Sequence, residues 1–305
     1  MSEHYATGEQ YKISYENSYA EIVELAAGIR VVVLDGVQVT ETFDDDSTAP
    51  MGHGLVLVPW PNRVAGGKWQ LGKKEQQLDI TEVSKNNASH GLLRNTGYTL
   101  KDRTTNSVTL QAPIFPQHGY PFHLATEVTY SLDADGLQVE HRITNLSEED
   151  APIAIGTHPY FRVGDTPVED LTVKIDAKTR IIADEKTMIP IGEEPVSGTY
   201  DLRAGKKVGD LDIDTAFKNL TADEDGIFHH RLIDPEGNET ILWSDETMPY
   251  VHIFTPAGFD KDKKAIAMEP MTAPANTFNT GENLRWIAKG QTTLAHWGVS
   301  LKKSK

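Results

Sequence analysis

Hydrophobic and polar residues alternate along much of this chain, and this period of two constrains the fold more than any other feature. In residues 124–132 the even positions are Leu, Thr, Val, Tyr and Leu, whereas the odd positions are Ala, Glu, Thr and Ser. Such alternation is typical of a strand with one buried face. Turn residues occupy positions 133–136, and the alternation resumes over residues 137–143. We therefore predict a β-hairpin here.

Three further pairs of segments have the same form. Predicted strands at 31–34 and 37–42 flank Asp35-Gly36, those at 69–71 and 76–80 flank residues 72–74, and those at 231–233 and 240–243 flank residues 234–238. Helical signal is confined to residues 1–8 and 282–286, with a turn or two in each. Many short strands with spaced turns favour an all-β fold, a large antiparallel sandwich or a barrel. No linker or internal repeat interrupts the pattern, so we predict one domain over residues 1–305.

Composition excludes several classes of protein. The 29 lysines and arginines stand against 45 aspartates and glutamates, for a net charge of −16. That charge repels nucleic acid and anionic membranes, so neither is an expected partner. There is no cysteine, which rules out disulfides, thiolate nucleophiles and cysteine metal sites. No apolar run approaches the ~20 residues that cross a bilayer, and the polar, acidic N-terminus is unlike a signal peptide. We predict a cytoplasmic protein.

Two polar clusters lie in segments shaped by proline and glycine. The sequence PWPNRVAGG places Arg63 where its planar guanidinium can bind hydroxyls or carboxylates. An arginine that ties the loop to a carboxylate of the protein is an equally good interpretation. The sequence NNASHGLLR places His90 directly before Gly91, which permits close approach of a ligand or of the backbone. A histidine that caps a turn is the plainer alternative.

Two further segments carry acid–base groups. In IAIGTHPYF an apolar strand ends at His158, with Tyr160 close behind, so a polyol could bind there. A buried core histidine is the alternative. In AMEPM, Glu269 stands between methionines, and burial would make its carboxylate a stronger base, as a general base near neutrality requires. Alternation alone also permits Glu269 to face solvent.

These segments, in this order, resemble the aldose 1-epimerase family, also called galactose mutarotases. The matching motifs are PWPNRVAGG, NNASHGLLR, GTHPYF, LDIDTAF and EPMTAPANTFNTG, which lie between residues 56 and 298. The resemblance implies a large antiparallel β-sandwich. It also implies Glu269 as general base, His158 as general acid, and Arg63, His90 and Asp214 as sugar-binding residues. Trp60 and Tyr160 are candidate stacking faces by type and position.

The resemblance has two local departures. The family's usual Asn-His-Ser-Tyr-Phe is Thr-His-Pro-Tyr-Phe over residues 157–161, and Glu269 is followed by Pro-Met rather than Thr-Gln. Both departures resemble less characterised bacterial branches, so they leave the preferred sugar open. They do not alter the expected acid–base pair.

The implied chemistry is exchange of the α and β anomers of a free hexose. The base takes the proton of the anomeric hydroxyl, the acid protonates the ring oxygen, and we expect the two groups on opposite sides of the sugar. Neither a metal nor another cofactor is required. The adjacent His229 and His230 point to opposite faces of a strand, so they do not form a metal pair. The alternatives are a hexose-6-phosphate 1-epimerase, with Arg94 or Lys68 on the phosphate, and a non-catalytic sugar sensor.

Overall fold

Nearly all regular structure in this protein is β-strand, joined by tight turns. The computed structural model describes residues 5–259 and 263–304. All strand pairs within the described residues are antiparallel, and they form two large sheets and four small ones.

The larger sheet has nine strands in the order β10-β11-β12-β13-β26-β22-β21-β16-β19. Its strands in chain order are β10 (Thr99–Arg103), β11 (Ser107–Ile114), β12 (Leu124–Asp133), β13 (Gly136–Asn145), β16 (Thr172–Ile175), β19 (Lys206–Lys207), β21 (Phe228–Ile233), β22 (Glu239–Ser244) and β26 (Thr292–Lys302).

The second sheet has seven strands in the order β18-β17-β20-β23-β24-β15-β5. Its strands in chain order are β5 (Val56–Leu57), β15 (Gly156–Thr157), β17 (Ala177–Ala183), β18 (Pro190–Pro195), β20 (Asp214–Leu220), β23 (Tyr250–Phe254) and β24 (Ala267–Met271).

The remaining strands form a four-stranded N-terminal sheet and three two-stranded ribbons. They are β1 (Gln10–Tyr15), β2 (Ser18–Val23), β3 (Ile29–Leu34), β4 (Val37–Gln38), β6 (Arg63–Ala65), β7 (Lys68–Leu71), β8 (Lys74–Gln77), β9 (Asn87–Ser89), β14 (Ala151–Ile153) and β25 (Arg285–Ile287). Among the described residues the one α-helix is α1 (Thr277–Thr280), and 3₁₀ turns occur at Pro50–Gly52, Val83–Lys85, Val168–Asp170, Gly198–Tyr200 and Val208–Asp210.

The two large sheets form an antiparallel β-sandwich, as the alternating sequence predicts. In β12 every even residue is buried, and the apolar ones, such as Val128 and Tyr130, belong to one continuous core. In the seven-stranded sheet Val251, Ile253 and Met268 join that core. Because successive residues of a strand point to opposite faces, their neighbours His252 and Glu269 lie on the face turned away from the core.

The predicted hairpins are confirmed, with shifts at their ends. The pairs β12–β13, β21–β22 and β3–β4 lie where alternation placed them, although β4 ends at Gln38. In the ribbon of β7 and β8 the turn is two residues long and β8 begins at Lys74. The helical turn predicted at 282–286 is wrong, because β25 begins at Arg285 and the helix is the preceding segment, α1.

The helix prediction for residues 1–8 falls partly outside the described residues, and residues 5–8 are not helical. Within residues 5–259 and 263–304, no helix is long and apolar enough to cross a membrane.

Candidate active site

A row of polar side chains crosses the outer face of the seven-stranded sheet. His252 on β23 is directly opposite Glu269 on β24. The pairs Gly156–Met271 and Tyr160–Ala267 share one register, and that register places His158 opposite Glu269 on the other side. Side chains directly opposite in antiparallel strands share a face, with Cβ atoms about 4.5–5.5 Å apart. Glu269 therefore lies between two histidines.

The predicted acid and base are in direct contact. His158 Nε2 lies 3.4 Å from Glu269 Oε1, and the two side chains are 9% and 2% exposed. The backbone on both sides of His158 is fixed, since its N–H donates to Leu55 O at 3.1 Å and its carbonyl accepts from Gly54 N at 2.8 Å. The structure thus confirms that Glu269 is buried and excludes the alternative in which it faces solvent. Both faces of β24 are buried, so alternation carried no information there.

The two side chains lie next to each other, whereas from the sequence we expect the acid and the base on opposite sides of the sugar. The reason is the register, which makes the two residues neighbours in one sheet. The arrangement still suits anomer exchange, because the anomeric oxygen and the ring oxygen are both bonded to the same carbon. One edge of a sugar can therefore meet both groups.

Several buried polar atoms around the pair lack a hydrogen-bond partner among the described residues. They are Glu269 Oε2, His158 Nδ1, Tyr160 Oη and His90 Nδ1. Buried polar atoms are rarely left unpaired, so such a cluster requires an explanation. A ligand rich in hydroxyl groups would satisfy these donors and acceptors.

Asp214 lies next to this row of polar side chains and pairs with His252. Asp214 Oδ1 is 2.5 Å from His252 Nε2. Burial opposes ionisation of Asp214, but the hydrogen bond and charge of His252, together with the charge of Arg63, outweigh it and lower the pKa of Asp214 to about 2. Asp214 is therefore an ionised acceptor at neutral pH.

Arg63 forms the ion pair of its second interpretation, in which it binds a carboxylate of the protein. Its Nε donates to Glu82 Oε2 at 2.8 Å and its Nη2 to Glu82 Oε1 at 3.0 Å. Burial lowers the pKa of Arg63, but Glu82 and the nearby charges of Asp214 and Glu269 raise it above its ordinary value. Arg63 also lines the depression that contains Asp214 and His252. The structure thus places Arg63 at the site and ties it to a carboxylate as well.

His90 is delivered by a strained turn. Its φ is +62° and that of Gly91 is +74°. A Cβ on Gly91 would lie 2.0 Å from Val58 O, so only glycine fits at that position. The His90 ring meets the His158 ring edge to face at 5.6 Å. Burial, with the charges of His158 and Arg63, lowers the pKa of His90 well below its usual value, so the ring is neutral near pH 7.

The two predicted stacking faces are not exposed. Trp60 is 2% exposed and packs at 5.4 Å against Phe278 in the core, so it offers no free face. Tyr160 is fully buried, with its ring 5.2 Å from that of His158. Tyr160 therefore belongs to the wall behind His158.

A cavity of about 440 Å³ opens onto the site. It is lined by His158 and His90, with Glu82, Ser89 and Arg94 beside them. Clefts of about 410 and 480 Å³ occur elsewhere, so volume does not single this one out. The distinguishing feature is chemical, since His158 and His90 each bring one of the unpaired buried atoms.

Three residues contact the predicted site residues but are not predicted from the sequence, namely His252, Asn62 and Glu82. His252 is a single polar residue within the apolar strand YVHIF, which by pattern alone is a core histidine. Asn62 adjoins Arg63 in the PNR motif, and an uncharged amide beside an arginine carries no separate signal in the sequence. Glu82 lies in a loop and has no local signal, because its partner is nineteen residues away.

The described residues contain no group of three or more His, Asp or Glu arranged to hold a metal ion. His229 pairs with Asp223 at 2.8 Å, whereas His230 is buried and its pKa falls to about 3. The two adjacent histidines thus have separate surroundings. Whether the protein works without a metal stays a prediction.

The comparisons with known proteins agree on one family. The family profile described as aldose 1-epimerase matches residues 9–300. The uncharacterised protein YihR of Escherichia coli is 31% identical over 294 residues, covering 94% of this chain and 91% of its own length. Galactose mutarotase of Pongo abelii is 34% identical over 164 residues, or 51% of this chain and 46% of the relative.

A solved structure supports the fold. The galactose mutarotase-like protein of Clostridium acetobutylicum superimposes with a TM-score of 0.84 at 21% identity, covering 96% of this chain and 95% of that one. At that identity the likeness concerns the fold alone.

Proposed function

Because the chain belongs to the aldose 1-epimerase family, we propose that it interconverts the α and β anomers of a free hexose. The observation that supports this most directly is the contact of 3.4 Å between His158 Nε2 and Glu269 Oε1. The pair is buried, its His158 lines a cavity, and buried polar atoms without partners among the described residues lie around it.

In this proposal the reactive enzyme carries an ionised Glu269 and a protonated His158. Glu269 takes the proton of the anomeric hydroxyl while His158 donates a proton to the ring oxygen. The bond between the anomeric carbon and the ring oxygen breaks, and the anomeric C–O bond becomes a carbonyl. Each proton transfer contributes ~10²–10⁴-fold to the rate.

The open-chain aldehyde then rotates about its first carbon–carbon bond. The hydroxyl that was the ring oxygen attacks the other carbonyl face, His158 takes the proton of that hydroxyl, and Glu269 returns its own proton to the carbonyl oxygen. The enzyme is restored to its starting protonation state. Because Glu269 and His158 are adjacent, the same two groups serve both directions.

Asp214, Arg63 and His90 hold the sugar in this proposal. Asp214 is an acceptor for a hydroxyl, whereas Arg63 is a donor that Glu82 keeps in a fixed orientation. His90 is a neutral ring that lines the cavity beside His158, so a ring nitrogen can donate to or accept from a hydroxyl. Fixing the hydroxyls keeps the reacting end aligned while the aldehyde rotates.

A hexose 6-phosphate is the second candidate substrate, and one observation favours it. Arg94 lines the cavity beside His158 and makes no hydrogen bond or ion pair with another described residue. An unpaired guanidinium there suits an anionic group. Lys68 is less suitable, since it pairs with Glu75 at 3.0 Å in the exposed β7–β8 ribbon.

The test is to measure anomer exchange with purified protein. Freshly dissolved α-D-glucose and α-D-galactose are followed by polarimetry, and glucose 6-phosphate by exchange NMR, each corrected for the spontaneous rate. We expect acceleration of at least one free hexose. Preference for the phosphate, lost in Arg94→Gln, would favour the second candidate. Binding of sugars without any acceleration would contradict the enzymatic proposal and indicate a sugar sensor.

A further inference from the structure

Glu269 has two histidine neighbours in the sheet, and the proposed mechanism uses only His158. His252 is as close in register to Glu269 as His158 is. Its side chain is 8% exposed and lies on the same outer face. A buried histidine beside a carboxylate of the site is a candidate for a role in the reaction.

Both ring nitrogens of His252 are already engaged. Nε2 lies 2.5 Å from Asp214 Oδ1, and Nδ1 lies 3.5 Å from Asn62 Nδ2. His158 differs, because its Nε2 faces Glu269 and its Nδ1 has no partner among the described residues. This contrast assigns proton transfer to His158 and leaves His252 another task.

The contacts of His252 define one direction of hydrogen bonding. A guanidinium only donates, so Asn62 Oδ1 is the acceptor of the 3.2 Å bond from Arg63 Nη1. The amide nitrogen of Asn62 then faces His252 Nδ1, and His252 Nε2–H donates to Asp214. When the His252 ring is neutral, Arg63, Asn62, His252 and Asp214 thus form a chain in which each residue donates to the next. We call it the Arg63–Asp214 chain.

This chain fixes one oxygen of Asp214 and leaves the other available. Oδ1 is taken by His252, whereas no hydrogen bond to Oδ2 occurs within the described residues. The Asp214 side chain is 32% exposed and lines the depression with Arg63 and His252. Oδ2 is therefore placed to accept a hydroxyl of a bound sugar.

We propose that His252 is a positioning residue, which orients the Asp214 carboxylate so that Oδ2 binds a sugar hydroxyl. This inference rests on the proposed function. It requires only that Nε2 carries a hydrogen, which holds for the neutral Nε2–H tautomer and for the protonated ring. Burial lowers the pKa of His252, but Asp214 raises it above its ordinary value, and both charge states keep Nε2–H.

The experiment compares His252→Leu, which removes the donor, with His252→Gln, which retains an amide donor for Asp214. We expect KM to rise ~10–100-fold in His252→Leu with kcat within a few-fold of the parent, and His252→Gln to recover most of that loss. His229→Leu is the control, because His229 lies on β21, away from the site, and pairs with Asp223. Its KM should equal that of the parent.

The dependence of KM on pH provides a second test, because it would not change if the role of His252 were purely structural. In the parent Asp214 is ionised throughout the neutral range. In His252→Leu the hydrogen bond and charge of His252 no longer oppose the effect of burial on Asp214, so the pKa of Asp214 rises. KM of this variant should therefore increase as pH falls and Asp214 gains a proton. The other charged groups facing this space are Glu269 on β24, His158 after β15 and Arg63 on β6, and all three remain in the variant.

Each outcome is decisive. Loss of kcat with unchanged KM in His252→Leu would make His252 a proton-transfer group, and unchanged kcat and KM in a folded variant would leave it without a role. Both overturn the proposal. Nitrogen-15 NMR of the His252 ring is independent of activity, and a ring that carries its hydrogen on Nδ1 alone would also overturn it. A parent that accelerates no aldose while Nε2–H is observed would instead contradict the proposed function.

Discussion

The ion pair between Arg63 and Glu82 provides a prediction whose size follows from the structure. Two parallel hydrogen bonds of 2.8 and 3.0 Å join the side chains, which are 14% and 23% exposed. The substitution Glu82→Gln removes the negative charge but keeps the shape. It leaves the guanidinium of Arg63 in a mostly buried site without its counter-charge.

The expected cost lies between two limits. Exposed ion pairs contribute about 0–1 kcal/mol, and breaking a fully buried pair costs about 3–5 kcal/mol. A mostly buried, bidentate pair should lie between them, so we expect a loss of about 2 kcal/mol in the free energy of unfolding. Unfolding entropy is about 2.1 cal/mol/K per residue, and over 305 residues that loss lowers Tm by about 3 °C.

The assay is calorimetry of Glu82→Gln, Arg63→Ala and the double variant, with sugar kinetics for each. Asp201→Asn is the control, since it breaks an Arg–Asp pair at the exposed surface and should leave Tm almost unchanged. If Arg63 also holds the sugar, both single variants raise KM and the double variant is no worse than Arg63→Ala. Kinetic constants of folded Arg63→Ala equal to those of the parent would refute the binding role and leave only the structural one.

Three further predictions concern the acid, the cofactors and the turn at His90. His158→Asn should slow turnover by ~10²-fold or more, because the donor of the proton to the ring oxygen is lost; near-parent turnover of a folded variant would point to His90 as the acid. Exhaustive chelation should leave activity intact, and a loss restored by one divalent ion would contradict this. Gly91→Ala should cost more than ~2 kcal/mol of stability by calorimetry, because its Cβ meets Val58 O. Gly72→Ala, also at positive φ but with no atom within 4 Å, should cost less, and equal costs would refute the steric argument.

The sequence predicts the fold well because its strongest signal is local. Alternation and turn residues locate β12 and β13 nearly to their ends, since each strand buries one face and leaves the other half-exposed. The signal is weaker where elements are short. Helix α1 has four residues, and packing of Phe278 against Trp60 and Trp69 holds it in place, so propensity within 282–286 pointed to the wrong segment.

The predicted site residues come together in space, although their roles remain proposals. Glu269 and His158 are in contact, His90 touches His158, and Arg63 and Asp214 lie close enough for their charges to interact. Motifs revealed these residues, and all of them except Glu269, which is central in β24, lie in loops or at strand ends. The contribution of His252 depends on the register between β23 and β24, which no local pattern encodes.

Other predictions from the sequence stay predictions. They are the single domain over residues 1–305, the cytoplasmic location, the small-molecule sugar as partner, and the absence of nucleic acid and membrane partners. Each follows from composition or from the resemblance, and neither the fold nor the comparisons test it.

The central claim is that Glu269 is the base that opens the sugar ring. The most direct test is the rate of anomer exchange by Glu269→Gln, measured by polarimetry on the best hexose substrate, with sugar affinity followed in parallel by ligand-observed NMR. The variant keeps the shape of the side chain and cannot accept a proton near neutral pH. We expect exchange to slow by ~10²-fold or more while affinity stays within a few-fold of the parent. Near-parent exchange by a folded Glu269→Gln would contradict the account.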